Sequence, residues 1–259
     1  MSSLQITFIG TATAILKIGN VSFITDPFFS PTGSEWDVGV TTLRNNIQPA
    51  LGLANLPAIH AVLLSHEDHP DNLDALGRQL LDGRQVFTTR DGAAKLAPRP
   101  DVLGLAPWET VSFSVGNIEF EITATPCQHL PGGECVGFVL SGPHFGETDG
   151  KRNGIYFTGD TVYLEELAKI KDSFHINAAL VNLGAAAVPV GDPPQQITMD
   201  SQQAAQLIRD LDPDVVIPMH FGGWEHFSES EGHVKEVFEA QGLGKKIRWL
   251  HPGTPSTIY

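Results

Sequence analysis

Two cysteines, Cys127 and Cys135, are all that 259 residues contain. That is too few for the disulfide framework of a small secreted domain, and two reduced thiols are expected. Basic side chains are also scarce. Sixteen Lys and Arg face 30 Asp and Glu, a formal charge of -14, and such a field repels phosphate backbones and anionic lipid. Nucleic acid and membranes are therefore not expected partners; a small-molecule substrate is, and homo-oligomerisation stays open. No apolar run approaches the roughly 18 residues that a membrane span requires. The opening MSSLQITFIG lacks a basic stretch and a long apolar core with a small-residue cleavage site, so no secretory leader is expected and the cytoplasm is the expected compartment. No Gly-x-Ser-x-Gly elbow occurs, which removes the usual setting of a serine nucleophile. Short repeats and low-complexity tracts are missing too.

What is present is an ordinary globular composition, 41% hydrophobic and 18% charged, in a chain long enough for one layered domain over residues 1–259. The opening segments LQITFIG, ATAILKIG and VSFITDP read as three strands joined by tight turns, an antiparallel meander. Residues 28–57 are rich in Pro, Gly, Asn and Ser and read as a long surface loop, a candidate lid. From Ala58 the pattern changes. AVLLS is a buried strand, HEDHPDN a polar turn, and Leu73, Leu76 and Leu80 share one helical face, with Pro70 and Asp71 expected in the first turn. QVFTT follows as a strand and Asp91 to Leu96 as a short helix, and the stretch from Glu109 to Thr125 folds about Gly116-Asn117 as a hairpin.

The second half repeats this make-up. CVGFVL, GIYFT, AALVN and VVIP read as strands, with helices expected from Leu164, after Asp200 and through Val234, Val237 and Phe238, and KIRWL as a last strand. Asp200 and Gln203 are spaced for a reciprocal N-terminal cap. Strands first and helices later, twice over, predict two face-to-face sheets with helices outside.

Chemistry concentrates in LLSHEDHPDNLD, where a buried strand ends and delivers His66, Asp68, His69 and Asp71 within six residues. Imidazole plus carboxylate is the ligand set of zinc, manganese and iron. Alone, the segment could be a solvated loop capping a helix, since Asp is an ordinary residue there. Three further strand ends change the balance: His129 follows ITATPCQ, Asp160 follows GIYFTG and His220 follows VVIPM. A lone histidine in such a place is more often structural, but four strand ends each carrying His or Asp can converge on one edge of a sandwich.

On these residues the chain resembles the metallo-β-lactamase superfamily, whose marks are an HxHxDH segment after a strand, a further His, a bridging Asp in a Gly-Asp context and a last His. The resemblance runs over essentially the whole chain, and its TFIG, ILKIG and ITDP opening is most similar to the ascorbate-6-phosphate lactonase-like group. It implies a four-layer αββα sandwich and one or two divalent ions (Zn, Mn or Fe). His66, His129, Asp160 and His220 then match the first, middle, bridging and last ligands, and Asp26 a carboxylate that orients the first metal loop. The chain departs from the pattern inside the first motif. In one alignment Asp68 takes the second His position and Asp71-Asn72 that of Asp-His; in the other, His66-x-Asp68-His69 supplies the last four positions and the first ligand is missing. Ser65 favours the first alignment, while His69 stays a candidate ligand. A carboxylate at position 68 would shift preference from zinc toward manganese or iron.

The implied activity is hydrolysis by metal-activated water of an ester, lactone or phosphodiester, with Asp68 or Asp71 orienting the water and passing a proton. A mononuclear iron oxygenase and a non-catalytic metal-binding or ligand-sensing protein are the rival classes. His226 and His251 are candidate substrate or ligand-orienting residues, and Lys151 and Arg152 a candidate phosphate contact on an exposed loop. Trp224 and Phe221 are expected as wall or core, and Glu134 and Glu225 as solvated carboxylates.

Overall fold

Strand polarity decides where the chemistry of this chain can collect. In the computed structural model, which describes residues 3–39, 41–130 and 133–259, one sheet runs in the order Ser256–Thr257, Leu4–Gly10, Thr13–Ile18, Val21–Thr25, Ala61–Leu63, Gln85–Thr89, Val102–Leu105. Pairing is antiparallel as far as Val21–Thr25 and parallel beyond it. The other runs Val215–Met219, Phe174–Asn182, Lys151–Phe157, Val136–Ser141, Ile118–Pro126, Thr110–Val115, with Glu147–Thr148 paired beside Lys151–Phe157. Its first three strands are parallel. Ile118–Pro126 points the same way, because two antiparallel steps separate it from Lys151–Phe157.

Side-chain alternation then builds the layers. Within Lys151–Phe157, Ile155 and Phe157 enter the core between the sheets, with Phe23, Phe87, Phe120, Phe138, Leu180 and Ile217, while Tyr156 faces outward. Outside the second sheet lie the helices Ser201–Leu211 and Glu231–Ala240, which bury Leu207, Ile208, Val234 and Phe238 against Val139, Ala179 and Val181. Outside the first sheet lie Ala75–Leu80 and Arg90–Leu96, packed on Ile15, Ile24, Val62 and Val86. The result is the expected four-layer αββα sandwich. Among the described residues no helix is long and apolar enough to cross a membrane.

Several local expectations are corrected. The helix after HEDHPDN starts at Ala75, not at Pro70, because the buried Asp74 carboxylate accepts from Gly77 N–H at 2.6 Å and caps it there; Asp71 is thereby left outside the helix. Residues 28–57 contain a small hairpin, Glu35–Asp37 with Thr42–Arg44, drawn in because Trp36 packs on Phe28 and Trp224 at 5.8 and 5.6 Å between ring centres. The segment from Leu164 is a tight 3-10 stretch, Glu165–Lys169, before one short α-turn. Asp200 does cap its helix through Gln203 N–H at 2.8 Å, but the Gln203 side chain accepts from Tyr163 N–H instead of reaching back. KIRWL makes a single bridge, Ile247 to Val216. Lys246 and Arg248 bond Val216, and the next rung would need an N–H from Pro218, which has none. The strand that does close the first sheet is Ser256–Thr257, beside Leu4–Gly10.

Candidate metal centre

Four like-directed strands of the second sheet and the parallel strands of the first end on the same rim, so His66, His129, Asp160 and His220 meet there despite their distance in sequence. Open α/β sheets collect ligands at such carboxyl ends. Two groups of donors result. His66, His69 and His129 form one, with ring centres 4.7 to 4.9 Å apart and the Nδ1 of His69 at 3.0 Å from Nε2 of both His66 and His129. Asp71, Asp160 and His220 form the other, all three buried. The Nε2 of His220 lies 3.4 Å from Asp71 Oδ2, and its Nδ1 lies 3.4 Å from Asp160 Oδ1.

The outer atoms of both groups are held by the chain. His66 Nδ1 meets Ser65 Oγ at 2.8 Å, and the Ser65 N–H and hydroxyl both donate to Asp26 at 2.7 Å. Asn72 Nδ2 donates to Asp26 as well, at 2.8 Å. His129 Nδ1 donates to the Ile197 carbonyl at 2.7 Å, leaving Nε2 to face the group, and Asn182 Nδ2 donates to Asp160 Oδ1 at 2.7 Å. Such outer partners fix ring orientation and tautomer. Close packing helps: Gly159, at φ +60°, stands where a Cβ would come within 2.7 Å of the Val136 carbonyl and 2.9 Å of the Ser65 Cβ. Asp26 and His220 are themselves non-glycine residues with left-handed backbone, φ +29° and +57°, a strain of about 1–3 kcal/mol each that clusters at functional sites.

Electrostatics follow from burial. Burial first, and then the neighbouring imidazoles of His69 and His129, hold His66 well below its ordinary range; burial also lowers His129. Burial pushes Asp71 up, but the close approach and charge of the His220 and His226 imidazoles outweigh it and hold the carboxyl well below the usual carboxylate range. Burial works to lower His220, yet Asp160 and Asp71 overcome it and raise the imidazole to about 9. Asp26 is pushed up to about 7 by burial and by Asp160, against the hydrogen bonds of Ser65 and Asn72. Asp160 acts on both groups, since its charge favours protonation of His129 and of His220 alike.

The donor set fits divalent cations. Metal–nitrogen bonds of 2.0–2.1 Å place tetrahedral ligands about 3.3 Å apart, close to the 3.0 Å from His69 Nδ1 to the Nε2 of His66 and of His129 and to the 3.4 Å from His220 Nε2 to Asp71 Oδ2. Both ring nitrogens of His220 are buried without a hydrogen-bond partner, which is costly unless another group engages them. His69 and His129 of the first group and all of the second line a cavity of about 310 Å³ whose other walls are mostly apolar, including Leu43, Leu130, Val188 and Ile197.

Not every candidate residue arrives. Asp68 joins neither group: its carboxylate turns to Lys95 Nζ, 3.6 Å away, at the half-open rim. The cause is Glu67, which is buried and clamped by Arg78 through both its carbonyl and its carboxylate at 2.7 Å, and this turns the following residue outward. Neither alignment of the motif therefore holds as drawn. His69 stands beside His66 where an imidazole is wanted, Asp71 keeps the carboxylate position, and Asn72 faces Asp26. His226 lines the cavity with its Nε2 at 3.6 Å from Asp71 Oδ2. His251 is exposed and outside the cavity lining, because the segment before it does not extend the sheet. Arg152 pairs with Glu121 and lies over the Phe174 ring, away from the cavity, and Lys151 sits with it on a strand. Trp224 is core to the loop layer, and Phe221 packs on Trp249 outside this cavity. Glu225 pairs with Arg44, and Glu134 accepts from Asp91 N–H. Both cysteines are free, with Cys135 donating to the Asp160 carbonyl.

Residues 22–221 match the family described as the beta-lactamase superfamily domain. The chain belongs to that superfamily. A metal-dependent hydrolase of Methanopyrus kandleri is 25% identical to it over 96% of this chain and 98% of its own. The N-acyl-phosphatidylethanolamine-hydrolyzing phospholipase D of Saccharomyces cerevisiae is 25% identical over 92% of this chain, which spans about half (52%) of that protein. Among solved structures, an isothiocyanate hydrolase from Delia radicum gut bacteria shares the fold at TM-score 0.77 and 21% identity, over 97% of this chain and 98% of that one. CmlA, a diiron β-hydroxylase from Streptomyces venezuelae, shares it at TM-score 0.67 and 16% identity, over 99% of this chain and 54% of its own. This superfamily member is an enzyme, a metal-dependent hydrolase.

Proposed function

We propose that residues 1–259 act as one catalytic domain that hydrolyses a small, uncharged and largely apolar ester or lactone, with His66, His69 and His129 holding one cation and Asp71, Asp160 and His220 a second. The observation that carries this reading is the cavity: its lining among the described residues holds His69, His129, the whole second donor group and aliphatic walls but no Lys or Arg. A phosphodiester would bring charge into a site with no organic cation to meet it, within a chain of formal charge -14. Turning Arg152 away removes the support that a phosphate substrate had from sequence.

Bound divalent ions would supply Lewis acidity toward a carbonyl oxygen and lower the pKa of a water to about 7. The chain does the rest. Leu43, Val188 and Ile197 bury the substrate's apolar part and exclude water, which strengthens every charge interaction inside. Ser65 and Asp26 keep the His66 ring turned inward, and Asn182 does the same for Asp160. Asp160, which acts on both groups, is placed to hold them together. Asp71, and not Asp68, is the carboxylate that stands inside the cavity beside His220, placed as a ligand and not as a proton carrier. The all-imidazole group suits zinc, and the carboxylate-rich group suits harder ions such as manganese or iron.

The test is a panel of neutral esters, lactones and thioesters beside phosphodiesters, using protein stripped with a chelator and reloaded with zinc, manganese or iron. Turnover of neutral substrates that is lost on stripping and in His129→Ala is expected. Preference for phosphodiesters overturns the substrate class. Dioxygen uptake matching product formation in the iron-loaded protein makes the chain an oxygenase instead.

A further inference from the structure

The second donor group holds two carboxylates and only one imidazole. The residue that follows Asp71 cannot add another. It is Asn72, fully buried, with its amide nitrogen committed to Asp26 and its carbonyl oxygen turned into the protein without a partner. An imidazole does stand beside Asp71, however, and it comes from the other half of the chain.

His226 lies beyond the strand Val215–Met219, in the segment that also delivers His220. Its side chain is about four-fifths buried, and its Nε2 sits 3.6 Å from the same Asp71 oxygen that faces His220 Nε2 at 3.4 Å. A nitrogen–oxygen separation of 3.6 Å is too long for a hydrogen bond. It is close to the spacing of two ligands on one cation with bonds of 2.0–2.2 Å. The Nδ1 of His226 is buried without a partner, as are both ring nitrogens of His220. The Nε2 atoms of two histidines, that of His220 buried without a partner, thus converge on one carboxylate oxygen without making hydrogen bonds to it.

The ring is also held in place. It packs edge-on against Phe227 at 4.6 Å and lies 5.7 Å from Trp224. Trp224 is buried against Phe28 and Trp36 and bridges to Asn45. Gly222 and Gly223 take left-handed backbone before it, and at Gly223 a Cβ would strike Ile47 at 2.7 Å. The turn that presents His226 is thus packed from both sides.

We propose that His226 is a ligand of the second cation, acting with Asp71 and His220 and supplying from the C-terminal loop the imidazole that Asn72 does not offer. The inference rests on the reading of Asp71, Asp160 and His220 as a cation site. Its test is metal content and affinity, not turnover. The parent protein, His226→Ala, His226→Gln and Asp71→Asn are stripped, titrated with zinc and with manganese alone in a calorimeter, and desalted for elemental analysis. Cobalt loading adds a visible-band readout of ligand number.

Two ions are expected in the parent protein. In both His226 variants the second ion should bind at least tenfold more weakly, with the first ion unchanged and the cobalt band altered. Far-ultraviolet circular dichroism and the thermal midpoint of the ion-free proteins confirm that each variant is folded, and the glutamine variant keeps the ring's bulk. Two ions at unchanged affinity in both His226 variants, while Asp71→Asn loses one, overturns the role of His226 alone. Two ions at unchanged affinity in Asp71→Asn as well overturns the underlying cation site.

Discussion

Asp74 ties the loop layer to the sandwich, and removing its carboxylate should be felt in both. Its Oδ1 caps the helix Ala75–Leu80 through Gly77 N–H at 2.6 Å, and its Oδ2 accepts from Phe29 N–H at 3.0 Å and from Ser30 N–H and Oγ at 2.6 and 2.5 Å. Loss of an N-terminal cap costs about 1 kcal/mol. A buried donor left unpaired costs about 1–3 kcal/mol; Phe29, 5% exposed, bears that in full, while Ser30 is wetter and bears less. Asp74→Ala should therefore destabilise by about 3–4 kcal/mol in equilibrium urea unfolding followed by circular dichroism. Asp74→Asn keeps only one acceptor oxygen, so either the Gly77 cap or the Phe29 and Ser30 bonds must be given up, and its loss should stay below that of the alanine variant without vanishing. Because Phe28 precedes this anchor and packs on Trp224 at 5.3 Å, the alanine variant should also raise KM more than it lowers kcat. A loss below about 1 kcal/mol in Asp74→Ala would show that water replaces the carboxylate, and the anchoring argument would be refuted.

Gly159→Ala should lower both stability, by about 2 kcal/mol or more, and metal content, since left-handed backbone and two contacts under 3 Å oppose the methyl group; retention of full metal content at parental stability would contradict it. Metal affinity should rise with pH below about 9, by up to about tenfold per pH unit, because a cation must displace the proton that Asp160 and Asp71 hold on His220; calorimetry in buffers of different ionisation enthalpy reads the proton released. In the ion-free protein the sign is opposite. A histidine raised from 6.5 to about 9 contributes stability below pH 6.5 that is lost as pH rises through about 9, so the thermal midpoint should fall over that window. Chelator should lower the thermal midpoint at pH 7, and zinc or manganese should restore it.

The strands were legible because alternation of buried and exposed positions survives in a single sequence, and the site was legible in outline because ionisable residues directly follow apolar runs. His66, His129, Asp160 and His220 share that pattern, and the structure brings them to one rim. What stayed hidden depends on partners far along the chain. Whether Asp68 or His69 turns inward is set by Arg78 gripping Glu67, eleven residues away, and nothing local to HEDHPDN reveals it. Asn182 and Ser65 act only through contacts that sequence spacing does not encode. KIRWL has strand composition, but Pro218 on its neighbour withholds the N–H that a second rung needs. Ser256–Thr257 is too short to leave a periodic trace.

That short final strand has a bearing on how the molecule behaves in company. Leu4–Gly10 would otherwise present an unpaired row of amides at the margin of the first sheet, the kind of surface on which chains stack into fibres. Ser256–Thr257 covers it, and the bonds Leu4 N–H to the Tyr259 carbonyl and Ile258 N–H to the Leu4 carbonyl, at 3.0 and 2.8 Å, fasten the cover. Removing residues 256–259 would leave the donor groups in place and yet bare an edge on which chains can stack.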